Sequence, residues 1–160
     1  MNTSVPNFKL SNPVHFLALG FGSGLIQPAP GTWGTLAAVP LYWAFMSINS
    51  FGMLGLLILT SLMFLVGIYL CGKTATDVGT HDHGAIVWDE FVGYFVSLIA
   101  LPPTILNITL AFILFRIFDI AKPWPIKWVD RKIHGGFGIM FDDVVAGIMA
   151  CLCLHLINYY

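Results

Sequence analysis

The sequence predicts an all-α integral membrane domain with about five membrane-embedded helices and its chemically active loops on one face. Three observations carry this. Of 160 residues, 58% are apolar and 9% charged, whereas soluble domains carry about 25% charged residues. The apolar residues fall in long runs broken by turn signals instead of alternating with polar ones. Apart from Lys9, every charged residue lies within 73–90 or 116–143, so function belongs in those two stretches. No linker or repeat divides the chain, which reads as a single domain over 1–160.

The clearest span is Met53 to Cys71, nineteen residues without a charge, long enough to cross a bilayer as a helix. Before it, Leu36 to Asn49 is apolar and carries Pro40, and Asn49-Ser50-Phe51-Gly52 reads as the turn of a helical hairpin. A second hairpin runs in through Phe91 to Leu101, turns at Pro102-Pro103-Thr104 and returns through Ile105 to Phe118. Val144 to Ile157 is the fifth candidate. Several of these fall short of the roughly 20 residues a crossing helix needs, so each helix is expected to begin among its polar neighbours. That places Asp89, Glu90, Asp119, Asp142 and Asp143 at the membrane boundary, where a carboxylate is costly unless paired, hydrated or bound to a metal. The chain start has one Lys, two early prolines and no small-residue cleavage pattern, so the apolar segments are expected to remain in the mature protein.

This arrangement puts segments 20–35, 73–90 and 119–143 on one side, together with all Lys and Arg residues. The positive-inside bias assigns that side to the cytoplasm. A net charge of −1 with no basic stripe argues against nucleic acid. Cys71, Cys151 and Cys153 lie in apolar runs without ligand or redox spacing and read as packing residues.

Four stretches can carry chemistry. In the Gly-rich segment, Ser23, Gly24, Thr32 and Thr35 offer backbone and hydroxyl donors to an anion, although Thr32 or Thr35 would equally serve as a helix cap. The second stretch holds Lys73, Asp77, His81, Asp82, His83, Asp89 and Glu90. Its His-Asp-His triplet lacks zinc spacing and reads as solvated loop, but two adjacent carboxylates at a polar-to-apolar boundary exceed what a helix start needs and suit a hard cation such as Mg²⁺. In the third, Arg116, Asp119 and Lys122 recur every three residues, so a helix ending before Pro123 sets them on nearly one face. The alternative there is an intrahelical ion pair with a snorkelling lysine and interfacial Trp124 and Trp128. The fourth runs from Gly135-Gly136, read as a loop able to approach a ligand closely, to Asp142 and Asp143, either of which would cap the last helix.

One tempting pattern is excluded. Residues 67–74 match the P-loop letter for letter, but they sit at the end of a long apolar run with no strand before them. No nucleotide partner is expected.

Taken together, the chain resembles the phosphatidylglycerophosphatase A family. The residues carrying the resemblance are Gly-Phe-Gly-Ser-Gly-Leu at 20–25, Pro-Gly-Thr-Trp-Gly-Thr-Leu at 30–36, Asp-Glu-Phe-Val-Gly at 89–93, Phe-Arg-Ile-Phe-Asp at 115–119, Lys-Pro-Trp-Pro at 122–125 and Gly-Gly-Phe-Gly-Ile-Met-Phe-Asp-Asp at 135–143. The resemblance implies an all-helical enzyme of the bacterial inner membrane that hydrolyses phosphatidylglycerophosphate to phosphatidylglycerol and phosphate with Mg²⁺. It does not assign roles within the site. On chemistry, Asp89, Glu90, Asp142 and Asp143 are the expected metal ligands. Asp119 is ligand or general base, and Arg116, Lys122 and Lys73 would neutralise phosphate charge. Ser23, Gly24, Thr32, Thr35, Gly135 and Gly136 are the expected substrate contacts. The signatures of covalent Cys and His phosphatases are missing, while an Asp nucleophile stays open. Two other functions compete: a CDP-alcohol-type lipid phosphotransferase, whose Asp-Gly repeat is missing, and a small ion or metal transporter, which would spread its carboxylates through the membrane depth.

Overall fold

In a computed structural model of the chain, residues 8–159 are described. The residues before Phe8, part of the stretch read as lacking a cleavable leader, lie outside that range. The described residues form seven α-helices and no strand: α1 (Pro13–Ala18), α2 (Pro30–Ile48), α3 (Gly52–Val78), α4 (Trp88–Ser97), α5 (Ile105–Ala121), α6 (Ile126–Lys132) and α7 (Gly135–Tyr159), with a 3₁₀ stretch at Gly20–Leu25.

Local chemistry explains several ends. Asn12 accepts a hydrogen bond from the Val14 N–H at the start of α1, and Thr104 does the same for Asn107 at the start of α5. Helix α3 stops at Gly79, in the left-handed region at φ +70°. Helix α5 ends where Lys122 turns left-handed just before Pro123.

The expected five spans reduce to two. Only α3 and α7, at 27 and 25 residues, are long and apolar enough to cross a membrane among the described residues. Helix α4 has 10 residues and α5 has 17, short of the ~20 that a crossing takes. Helix α2 has 19, but Gly31, Thr32, Gly34, Thr35 and Pro40 dilute its hydropathy. The two long helices also start or end well outside their apolar runs. Helix α3 continues through Lys73 and Asp77, and α7 begins at Gly135.

That second boundary corrects the reading of 135–143 as a loop leading to a cap. Gly135 and Gly136 open α7, and Asp142 and Asp143 lie two turns inside it. The small residues have a packing reason. A Cβ on Gly136 would stand 1.9 Å from the Ile68 carbonyl oxygen of α3.

Helix α4 is the axis of the fold, with every residue from Asp89 to Ser97 buried. It crosses α7 at Gly93 and Gly147, where a Cβ on Gly147 would meet the Gly93 carbonyl oxygen at 2.3 Å. Close backbone approach of this kind maximises van der Waals contact between the two helices. Away from the charged loops, Tyr42, Tyr94, Phe95, Phe115 and Leu154 fill the space between α2, α4, α5 and α7. Two polar ties hold that end: Tyr94 Oη donates to Ile108 O at 3.1 Å, and Asn158 donates to Asn107 Oδ1 at 3.0 Å. The charged segments gather at the other end, as expected: Gly24 abuts Ala85, Gly31 abuts Glu90 and Arg116, and Gly135 N–H donates to His81.

Candidate functional site

Helices α4 and α7 each present a pair of acidic residues where they cross. Asp89 and Glu90 occupy the first turn of α4, where the helix dipole favours negative charge. Asp142 and Asp143 face them from α7, and all four carboxylates are buried. One oxygen each from Asp89, Glu90 and Asp143 lie within 4.8 Å of one another. Asp89 Oδ1, Glu90 Oε2 and Asp143 Oδ2 are shielded from solvent and have no hydrogen-bond partner in the protein.

Three buried carboxylates this close cannot all remain charged without a cation, since a buried unpaired charge is very costly. An all-oxygen donor set with open lone pairs suits a hard divalent ion such as Mg²⁺. The residues present therefore fit the cofactor that the family resemblance implies.

Arg116 of α5 reaches this group from the side. Its Nη1 lies 2.6 Å from Asp119 Oδ2 and 3.6 Å from Glu90 Oε1, and donates to Thr35 Oγ1 at 3.5 Å. The Thr35 hydroxyl in turn donates to Gly31 O at 2.9 Å, tying the start of α2 to the arginine. Gly31 is where the chain cannot carry a side chain: a Cβ there would stand 2.2 Å from Glu90 Oε1 and 3.0 Å from both Arg116 Nη atoms.

Asp142 belongs to a different arrangement. Lys122 donates to Asp142 Oδ2 at 2.7 Å and to Asp130 Oδ1 of α6 at 2.8 Å. Burial opposes the lysine's charge, but these two carboxylates outweigh it and hold the ammonium above its usual range. Asp142 thus has a counter-ion on Oδ2, while its Oδ1 is buried and without a partner like the oxygens of the other three carboxylates.

Several expected site residues stand elsewhere. Lys73 pairs with Asp77, whose other oxygen takes a 3.2 Å contact from His15 Nε2. This network fastens α1 to α3 and leaves Lys73 outside the carboxylate group. Ser23 Oγ donates to Gly20 O within its own turn, and Gly24 packs against the Ala85 carbonyl. Thr32 is half-buried in the first turn of α2, one residue from Gly31. Gly135 and Gly136 sit against α3, about 10 Å along α7 from Asp142 at 1.5 Å per residue. Two residues that matter went unnoticed in the sequence: Asp130, which shares Lys122, and His15, which accepts the Lys9 N–H at Nδ1 while facing Asp77. A long-range partner leaves no local pattern, so nothing marked them.

The site is also deeper than a helix boundary. Trp88 Nε1 donates to Met63 O at 3.0 Å, which sets the start of α4 beside the middle of α3. The Trp88 ring also lies against Gly67, about 9 Å along α3 before its first charged residue, Lys73.

The chain is similar to known proteins along most of its length. The phosphatidylglycerophosphatase A family profile matches residues 16–158. A protein from Haemophilus influenzae named phosphatidylglycerophosphatase A is 52% identical over 160 residues, covering 99% of this chain and 97% of that one. Its Escherichia coli K12 namesake is 48% identical over 153 residues, 95% of this chain and 87% of that one. A Bacteroides thetaiotaomicron protein named putative phosphatidylinositol-3-phosphatase is 35% identical over 148 residues, 89% of this chain and 92% of that one. No solved structure matches the chain.

Proposed function

The chain belongs to the phosphatidylglycerophosphatase A family, a family of phosphatases, and from that premise we propose that it hydrolyses phosphatidylglycerophosphate to phosphatidylglycerol and phosphate with Mg²⁺. The observation that carries the metal requirement is the trio of buried, unpartnered oxygens on Asp89, Glu90 and Asp143. When bound there, the ion supplies electrostatic stabilisation of the charge that develops on the phosphoryl oxygens.

The protein's own groups then have separable tasks. Arg116 anchors Glu90 and Asp119 and offers its remaining donors to a phosphate oxygen. Asp119, held through Oδ2, is placed to accept a proton from the attacking water. The new bond joins that water oxygen to phosphorus, the bond to the glycerol oxygen breaks, and the leaving oxygen takes up the proton that Asp119 accepted. Lys122 keeps Asp142 ionised and fixed beside the group instead of touching phosphate itself.

The setting proposed for this chemistry is the bacterial inner membrane, crossed more than once, with the carboxylate end facing the cytoplasm and the reaction serving phospholipid synthesis. The gathering of charged segments at one end supports that orientation. Cysteines introduced at Ser50 or Thr104, at the opposite end, should label from the periplasmic side of sealed vesicles; labelling from the cytoplasmic side reverses the topology.

The deciding assay is phosphate release from phosphatidylglycerophosphate in nanodiscs, with and without chelator, beside phosphatidylinositol 3-phosphate as competitor. Phosphate should appear only with divalent cation present, more with Mg²⁺ than Ca²⁺. Turnover undiminished in excess chelator rejects the metal requirement, and faster turnover of the inositol lipid moves the substrate assignment. Asp89→Asn and Asp143→Asn combined should lose little more than either alone, as residues acting through one ion do.

A further inference from the structure

An apolar groove of about 440 Å³ runs between α3, α4 and α7, lined among others by Leu57, Ser61, Val92, Val96, Val144 and Ile148. We propose that it holds one acyl chain of the lipid whose phosphate is hydrolysed at the carboxylate group. This rests on the proposed function, because it takes a phospholipid to be the substrate.

The groove borders the site along α4. On α4, Asp89, Val92 and Val96 are spaced i, i+3, i+7, so the stripe that begins with a carboxylate continues as the groove wall. On α7 the lining residues Phe141, Val144 and Ile148 form one stripe, with Asp143 on the neighbouring face. The groove therefore starts about one turn beyond Asp89 and leads away from the charged end, over about 10 Å from Val92 of α4 to Ile99 just after it. A phospholipid has the same layout, with phosphate at one end and a hydrocarbon chain leading away.

Location also selects the occupant. The groove's outer walls are α3 and α7, the two helices apolar and long enough to cross a membrane. Hydrocarbon chains are what such a surface meets. A second apolar cavity, around Phe45, Ile48 and Phe51, lies at the far end of α2 and is lined by no residue of α4 or α7, the helices that carry the carboxylates. Adjacency to the acidic group, and not apolarity, distinguishes the first groove.

Seating the substrate this way accounts for the depth of the site. With a chain held beside α4, the head group is drawn down to Asp89 and Glu90, about two helical turns below Lys73 of α3.

The test measures kcat/KM for dihexanoyl and dipalmitoyl phosphatidylglycerophosphate in nanodiscs. The parent should favour the long-chain lipid. Ser61→Trp and Ile148→Trp, both filling the groove from exposed positions, should lower the long-to-short ratio about tenfold, mainly through KM. Val66→Trp, on an equally exposed part of α3 outside the groove, should keep the parent ratio. Independently of any variant, a photoreactive diazirine at mid-chain of the lipid should crosslink to the parent at residues 57–65 and 144–148. An unchanged ratio in both groove variants, with short-chain turnover intact, overturns the groove and leaves the phosphatase reading standing, as does crosslinking spread evenly over all helices. Absence of phosphate release by the parent from either lipid overturns the phosphatase reading and the groove with it.

Discussion

The chain holds two kinds of acidic cluster, and they differ in whether the protein supplies the opposite charge. Asp77 is met by Lys73 and His15, and Asp130 and Asp142 by Lys122. Asp89 and Asp143 have no cation among their partners, and Glu90 has only Arg116 at 3.6 Å, a distance longer than a hydrogen bond. The first kind has its counter-charge as folded and acts as a fastener between helices, with only Asp142 Oδ1 left buried and unpartnered. The second is incomplete, and its deficit of positive charge is what a divalent ion would fill.

The contrast breaks most visibly at the incomplete cluster. Asp89→Asn or Asp143→Asn should lower kcat by about 100-fold or more. In chelator, each variant should melt above the parent, since one buried unpaired charge is gone. In Mg²⁺ the order should reverse, because only the parent gains binding energy. Thermal melts with and without ion read both signs, and variants that melt below the parent in chelator would make these carboxylates structural.

Gly31→Ala probes the same cluster through the backbone. The added methyl displaces Glu90 or Arg116, and kcat/KM should fall about 10- to 100-fold, a misplacement effect. Parent-like kinetics in this variant would show that the Glu90–Arg116 geometry is not needed.

At the complete clusters the effects should appear as stability. Lys122→Met leaves Asp142 buried without its counter-ion and should cost about 2 kcal/mol, between the values for exposed and buried pairs, as Lys122 is 27% and Asp142 7% exposed. Urea or thermal unfolding in detergent measures it, and an unchanged midpoint would place Lys122 with the phosphate binders instead. The smallest effect belongs to Lys73→Ala. Its side chain is 47% exposed and tied to Asp77, so the loss should be under about 1 kcal/mol. Turnover should stay near that of the parent, against the role in phosphate handling that the sequence suggested. A large rise in KM would restore that role.

Part of this was legible before any coordinates. The long charge-free run at 53–71 and the hairpin turns at 49–52 and 102–104 announce helices, because backbone groups in an apolar setting must bond within their own segment. Asp89, Glu90 and Asp143 stand out because carboxylates beside apolar runs are costly enough to need a reason. The same rule also selected Asp142, and close backbone approach selected Gly135-Gly136, without showing what each would meet in the fold. Nothing local to Asp142 reveals that Lys122, twenty residues earlier, neutralises it, and nothing local to Gly136 reveals that Ile68 of α3 fills the space beside it.

The sequence by itself determined the helical class, the family and the pool of acidic residues from which a site is drawn, because helix-forming runs and unusual charges are properties of short segments. Only the tertiary structure decided how many helices are long enough to span, how deep the site lies and which carboxylates are left without a counter-charge. Those are outcomes of packing: Trp88 hung on the middle of α3, Gly93 pressed to Gly147 and Lys122 turned toward α7. Charge neutralisation is decided by whichever side chain arrives within about 4 Å, and that distance does not exist until distant segments meet.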